Sequence, residues 1–81
     1  MKLQVIVFAA VRQQLGAETI TLNVAGPLDG AGLRRAFCER FPQLTDLVSR
    51  ARFAVDREFV TDDDVIPAGG EVALILPVSG G

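Results

Sequence analysis

The N-terminal part of the chain predicts two strands joined by a short helical turn. Residues 3–9 are β-branched or aromatic with little polar content, which is typical of a central strand buried on both faces. Residues 18–24 alternate strictly between apolar and polar side chains and so predict a half-exposed strand. Between them, residues 11–15 are long enough for about one helical turn, and Gly16 is a suitable left-handed stop.

The middle of the chain predicts the main helix. Asp29 can cap this helix, and Pro42 ends it. Its apolar positions follow helical spacing and are Leu33, Ala36, Phe37 and Phe41. We expect Arg34, Arg35 and Glu39 to point outward into solvent. One face of the helix is therefore expected to pack on a sheet.

The C-terminal third predicts, in order, a short helix, two short strands around a tight polar turn, a loop, a second turn and a last strand. These elements take residues 44–51, 53–55, 58–60, 62–64, 67–70 and 71–76. The whole order fits an α+β domain of the β-grasp type, with a mixed sheet of about five strands packed on one main helix. We expect this domain to span residues 1–78 and a flexible Gly-Gly tail to span residues 79–81.

The last strand is apolar on both sides, although a sheet covered by one helix should be polar on its other face. Ile6 and Phe8 on the first strand repeat this conflict. If the two strands are neighbours, one side of the sheet carries a contiguous apolar patch typical of a partner interface. The alternative is a core that wraps both faces through the short second helix and the loops. We expect the interface, with Phe8, Phe59 and Ile75 as anchors and Pro77 stiffening the exit to the tail.

Composition excludes several classes of protein. The chain has 81 residues, which make one small domain. Its 8 Lys and Arg against 10 Asp and Glu, a net charge of −2, leave no basic stripe for nucleic acid. One cysteine and no histidine exclude an internal disulfide, a Cys/His zinc site and a histidine-based triad. No stretch reaches the roughly 20 apolar residues of a membrane span, so we expect a cytoplasmic protein without a membrane partner.

Three polar or reactive features have a structural interpretation. The aspartates at residues 62–64 lack the spaced oxygens of a calcium loop and are interpreted as a solvated turn. Cys38 lies in the middle of a helix without metal-ligand spacing, so we expect a partly buried, incidental cysteine. Residues 30–32 lack the glycine spacings of phosphate-binding loops. We therefore expect no metal site and no bound cofactor.

The reactive group predicted from the sequence is its C-terminus. Ser79, Gly80 and Gly81 follow the last strand and its proline. Without Cβ atoms, the two glycines can extend fully, enter a narrow cleft and present the α-carboxylate to the active site of another protein. The side chains of this protein are therefore not expected to carry out chemistry themselves.

A family resemblance is carried by three segments: Phe-Ala-Ala-Val-Arg at residues 8–12 followed by Leu15-Gly16, Gly-Gly-Glu-Val at residues 69–72, and Pro-Val-Ser-Gly-Gly at residues 77–81. At these spacings they resemble the small subunit of molybdopterin synthase, a ubiquitin-like β-grasp protein, and the resemblance covers the whole chain. Many members carry an aromatic residue or a second proline near the end of the last strand, where this sequence has Ile75 and Leu76.

The resemblance implies a sulfur carrier in molybdenum cofactor biosynthesis, a non-catalytic subunit of the synthase. In this family an adenylyltransferase related to ubiquitin-activating enzymes uses ATP to convert the terminal carboxylate, here that of Gly81, to an acyl-adenylate. A sulfur donor then replaces AMP and leaves a thiocarboxylate. The tail that carries the thiocarboxylate enters the large synthase subunit, which binds the cyclic pyranopterin precursor. A heterotetramer of the two subunits is the expected assembly.

Three alternatives remain open at the level of sequence. A sulfur carrier for thiamin synthesis shares the fold and the tail, but such carriers pass almost directly from the first strand to the second, which the turn at residues 11–15 argues against. A ubiquitin-like modifier that forms isopeptide bonds needs the same tail. A binding module with an accidental Gly-Gly end would tolerate deletion of both glycines.

Overall fold

A five-stranded sheet with helices on one face forms the described part of the chain, residues 2–67, 69 and 71–76, in a computed structural model. The elements in chain order are β1 (Lys2–Val7), α1 (Ala9–Leu15), β2 (Thr19–Asn23), α2 (Gly30–Arg40), a 3-10 turn (Pro42–Leu44), α3 (Thr45–Arg50), β3 (Arg52–Val55), β4 (Glu58–Val60) and β5 (Val72–Ile75). The predicted order of strands and helices is confirmed, and α1 begins two residues earlier than the sequence pattern indicates.

The strand order across the sheet is β2-β1-β5-β3-β4. β1 and β5 pair in parallel, whereas β1 with β2, β3 with β5 and β3 with β4 pair antiparallel. This arrangement confirms the predicted mixed sheet. The last strand, β5, lies at its centre between the first and third strands, so the chain leaves the sheet from the middle and not from an edge.

The core lies between the sheet and α2. Its fully buried larger side chains come from strands, helices and one loop: Leu3, Val5, Val7, Val11, Leu33, Phe37, Leu44, Val48, Phe53, Ile66, Val72 and Leu74. The rings of Phe37 in α2 and Phe53 in β3 are 6.3 Å apart between centroids, at a tilt of 57°. Tilted aromatic pairs of this kind add to the free energy gained by burying the rings. The Phe37–Phe53 pair therefore helps to hold α2 against β3.

The helix termini follow the sequence signals. Gly16 ends α1 with φ of 68°, and its N–H donates to the Arg12 carbonyl at 2.9 Å. A left-handed residue at this position is a preferred helix stop, because glycine adopts it without a Cβ penalty. Asp29 precedes α2 and accepts a hydrogen bond from the Gly32 N–H at 2.8 Å. Both predictions, the stop and the cap, are confirmed.

The aspartate loop packs on the first turn of α2. The N–H of Gly30 donates to the Asp64 carbonyl at 3.0 Å, and that of Ala31 donates to the Asp62 carbonyl at 3.1 Å. These bonds satisfy amides that a helix cannot pair internally. With the Gly32 N–H held by the cap, the amides of Gly30, Ala31 and Gly32 all have partners within the chain.

The prediction that residues 3–9 form a strand buried on both faces is wrong. Burial in β1 alternates, with Gln4 exposed and Ile6 half-buried, and the strand ends before Phe8. The reason is that α2 covers one face of the sheet, and no other described element covers the opposite one. α3 packs against α2 on the helical side. The alternative of a core that wraps both faces therefore does not hold for the described residues.

The predicted outward orientation of Arg34 is also wrong. Its guanidinium donates through Nη1 to the Val48 carbonyl and to the Ala51 carbonyl, the latter at 2.8 Å. The same group lies over the Phe53 ring at 5.5 Å from the centroid. Helical periodicity alone did not reveal this role, because the carbonyls at the end of α3 reach Arg34 only after α3 has folded against α2.

Candidate partner-binding site

The uncovered face of the sheet carries a row of paired apolar residues. Ile6 pairs with Ala73, Ala73 with Ala54, and Ala54 with Phe59. Residues directly opposite one another on neighbouring strands point to the same face. The row therefore runs across four strands on the side away from α2, and the Phe59 side chain at its end is 57% exposed.

A second row lies at the C-terminal end of β5. Ile75 pairs with Arg52 of β3. Phe8 follows β1 with extended backbone angles, φ of −133° and ψ of 164°, so the alternation of the strand continues and its side chain stays on the uncovered face. One more step of the β1–β5 register brings Phe8 opposite Ile75. Phe8 is 48% exposed, and Ile75 is half-buried.

The structure thus places the three predicted interface anchors, Phe8, Phe59 and Ile75, on one face of the sheet. We call the surface made by these residues and by Ile6, Ala54 and Ala73 the apolar face. Pro77, which was predicted to stiffen the exit to the tail at this interface, lies outside the described residues, and so do the predicted tail residues Ser79, Gly80 and Gly81. Their roles stay predictions.

Sequence reasoning missed a charged residue that lies beside the apolar face, Arg52. Its guanidinium carbon lies 5.3 Å from the centroid of the Phe59 ring, a cation–π distance. The signal that could have found it is alternation, since Phe53 faces the core and the preceding residue must face the other way.

Polar residues border the apolar face at the beginning of β5. Gln4, Thr19 and Glu71 surround Ile6 in a shallow pocket that Gly69 completes. Glu71 is held in place by its backbone: its N–H donates to Asp56 Oδ1 at 3.0 Å, and its carbonyl accepts from the Asp56 N–H at 2.9 Å. The Glu71 side chain is exposed.

We also searched the part of the chain that the structure describes for metal ligands, a reactive cysteine and membrane-spanning helices. It contains no group of three or more His, Cys, Asp or Glu side chains that could hold a metal ion. Cys38 is half-buried and packs on the core, as predicted. None of the described helices is long and apolar enough to cross a membrane.

The mixed sheet, with α2 across one face and β5 at its centre between β1 and β3, defines the β-grasp fold of ubiquitin-like proteins. In solved structures the same fold occurs in small archaeal modifier protein 1 of Haloferax volcanii, with a TM-score of 0.80 and 21% identity over 95% of this chain and 98% of that one. It also occurs in the complex of subunits 1 and 2 of molybdopterin-converting factor from Helicobacter pylori, with a TM-score of 0.68 and 20% identity over 100% of both chains.

The chain belongs to the ThiS family, whose model matches residues 5–81. It is similar to the molybdopterin synthase sulfur carrier subunit of Dictyostelium discoideum, with 31% identity over 83 residues that cover 96% of this chain and 94% of the relative. The human molybdopterin synthase sulfur carrier subunit is 31% identical over 83 residues, which cover 99% of this chain and 94% of the relative.

Proposed function

We propose that this protein is the sulfur carrier subunit of a molybdopterin synthase. It carries sulfur as a thiocarboxylate on Gly81 and donates it to the cyclic pyranopterin precursor in the active site of the large subunit. The observation that carries this proposal is the family match, which runs to residue 81 and so includes the Gly-Gly ending. The carrier subunits of Dictyostelium and human align over nearly their whole length.

The chemistry of the tail needs two external steps. A carboxylate is a poor electrophile, so an ATP-dependent adenylyltransferase first joins the Gly81 carboxylate to AMP and releases pyrophosphate. Hydrosulfide released by a sulfur donor then attacks the acyl carbon, forming the C–S bond as the bond to AMP breaks, and the thiocarboxylate left after loss of the thiol proton is a better nucleophile than the carboxylate. Because loading consumes ATP, we propose a cytoplasmic location. No cofactor bound to this chain takes part.

The apolar face supplies the binding energy in this proposal. Ordering a flexible tail costs roughly 1–2 kcal/mol per residue of backbone entropy, so the tail is a weak source of affinity. Exposed aromatic side chains such as Phe8 and Phe59 are typical interface anchors. The large subunit therefore docks on the apolar face while Gly81 reaches the precursor, and two copies of each subunit form a heterotetramer.

The helix α1 supports the molybdopterin pathway over thiamin synthesis. It fills the connection between β1 and β2, where the thiamin carriers described above have almost none. Its C-terminal end is joined to the start of β2 by the ion pair of Arg12 with Glu18 at 3.1 Å.

Intact mass spectrometry tests the proposal. The chain is incubated with an adenylyltransferase of the ubiquitin-activating type, ATP and a sulfur donor, and the expected product has one oxygen replaced by sulfur at Gly81. The sample without ATP is the control. Adding the large subunit and the pyranopterin precursor should consume two loaded chains for each dithiolene formed, and water should restore the carboxylate of each chain. A chain that never gains sulfur contradicts the carrier role, and a loaded chain that gives no dithiolene contradicts the molybdopterin pathway.

A further inference from the structure

Arg52 lies beside the apolar face, on the same side of the sheet. In the register it is opposite Ile75, the last residue of β5. The arginine ion pairs among the described residues involve Arg12, Arg34 and Arg50, and no described carboxylate pairs with Arg52. Its guanidinium is therefore available to a carboxylate from outside the chain.

The ring of Phe59 holds this guanidinium in place. A cation over an aromatic face is attracted by the ring electrons, and a planar guanidinium stacks there with its N–H groups still free at the rim. An arginine that is already positioned loses less entropy when it binds a carboxylate than a freely rotating one. Phe59 thus combines two roles: it is an apolar anchor and a support for Arg52.

Glu71 provides the opposite charge at the other end of β5. Its backbone is fixed by both hydrogen bonds to Asp56, and its side chain borders the pocket with Gln4 and Thr19. Four residues of strand separate Glu71 from the level of Ile75 and Arg52, roughly 13 Å at strand rise. This exceeds the screening length of about 8 Å at physiological salt, so the two charges act as separate contacts.

We propose that Arg52 and Glu71 orient the partner protein on the apolar face. The partner presents an acidic side chain to Arg52 and a basic side chain to Glu71, on either side of an apolar patch. This inference rests on the proposed function, since the partner meant here is the large synthase subunit that receives the tail.

The two charges give the interface a direction along β5. Apolar contacts are non-directional, so they hold a partner on the face without deciding which way it lies along β5. Two unlike charges at opposite ends make one orientation attractive and the reverse repulsive. Since Gly81 is only six residues beyond Ile75 in the sequence, only one orientation places the partner's active site where Gly81 can reach it.

Titration calorimetry with the full chain and the purified large subunit of the same organism tests this inference without any sulfur chemistry. Arg52→Met keeps much of the side-chain length and should weaken binding roughly fivefold, whereas Arg52→Glu should weaken it tenfold or more, on the order of the cost of like charges. Glu71→Lys should also weaken binding of the large subunit about tenfold or more, as Arg52→Glu does. The loss should shrink as salt is raised from about 0.05 to 0.5 M.

Matched controls exist on the helical side of the molecule. Arg40 also lies over a phenylalanine ring, that of Phe41, at 4.8 Å from the centroid, but it belongs to α2. Arg40→Met should change affinity less than about twofold, and so should Glu39→Lys beside it. Phe59→Leu keeps an apolar side chain but removes the ring that supports Arg52. Arg52→Met should therefore weaken binding of the large subunit much less in the Phe59→Leu variant than in the wild-type chain.

The outcomes separate this inference from the proposed function. If the wild-type chain binds the large subunit and the Arg52 and Glu71 variants bind equally well, the orienting role is wrong while the carrier role stands. If the wild-type chain does not bind at all, both are wrong. If sedimentation instead shows that the free chain dimerises and that Arg52→Glu or Glu71→Lys separates the copies, the charges serve a second copy of this chain and the inference is overturned.

Discussion

The Cα atom of Gly30 faces the carbonyl group of Thr61 so closely that a Cβ atom at Gly30 would overlap its oxygen. Gly30 is buried at the start of α2, where the backbone adopts ordinary helical angles, so the requirement for glycine is one of space. This approach explains a glycine that costs about 1 kcal/mol of helix propensity relative to alanine. The close contact lets residues 61–64 supply the carbonyls that cap the helix.

Gly30→Ala is therefore expected to destabilise the fold. The added methyl group has to push Thr61, the residue after β4, away from α2. This movement weakens the hydrogen bonds from the Gly30 and Ala31 amides to the carbonyls of the aspartate loop. We expect a loss of about 1–3 kcal/mol in the free energy of unfolding, despite the better helix propensity of alanine. Urea denaturation measures it. An equal or greater stability of the variant would show that the loop can move freely.

Arg34→Met should destabilise the protein through the junction of α2 with α3. The substitution removes both donors to the Val48 and Ala51 carbonyls and the ion pair with Asp62 at 3.8 Å. Leaving carbonyls without a charged donor in a part-buried site costs roughly 1–3 kcal/mol. Arg35→Met on the exposed side of the same helix is the control and should be near neutral. The melting temperatures of the Arg34→Met and Arg35→Met variants measure this difference. Equal melting temperatures would contradict a stabilising role of Arg34 at the junction of α2 with α3.

Arg57→Gly should stabilise the β3–β4 hairpin. Asp56 and Arg57 form a two-residue turn with positive φ angles of 49° and 73°. Turns of this type favour glycine at the second position, because a left-handed backbone strains any residue with a Cβ. We expect a gain of about 0.5 kcal/mol after the extra entropy of the unfolded glycine is counted. Arg35→Gly, in the middle of α2, should instead lower the melting temperature measured by circular dichroism.

Gly81→Ala is expected to leave folding intact and impair sulfur transfer. The substitution adds only a methyl group, but a Cβ atom obstructs entry into a narrow cleft and restricts the extended backbone. Thermal unfolding should match the wild type, while the rate of thiocarboxylate formation and the rate of sulfur delivery, followed by intact mass, should both fall. Unchanged rates of loading and delivery would disprove the narrow-cleft argument.

Phe8→Ala should weaken binding of the large subunit with little loss of stability. Phe8 is 48% exposed, so the folded domain gains little from it, whereas an aromatic anchor at an interface contributes about 1–3 kcal/mol. We expect affinity measured by calorimetry to fall between about fivefold and about 150-fold. Val65→Ala is the control, since Val65 is 71% exposed but lies in the loop that bridges to Asp29. Equal affinities of the Phe8→Ala and Val65→Ala variants for the large subunit would show that Phe8 is not an interface anchor.

Local signals in the sequence were sufficient for most elements. The Asp29 cap, the Gly16 stop and the alternation of β2 each depend on residues within a few positions, and each matches the structure. The same holds for the β-grasp order, because a chain this short has few ways to place five strands and one main helix. The excess of apolar residues on the first and last strands also indicated an uncovered sheet face before any pairing was known.

Only the tertiary structure decided which charges belong to which surface. Helical and strand periodicity assigns a side chain to a direction, but the groups that it meets come from distant parts of the chain. Arg34 was expected in solvent and instead holds the end of α3, while Arg52 and Phe59, seven positions apart in the sequence, meet because β3 and β4 pair. The sequence by itself determined the apolar strands and the Gly-Gly tail; the pairing of β5 with β1 and β3 decided that these strands form one face, because exposure depends on neighbours that the fold alone supplies.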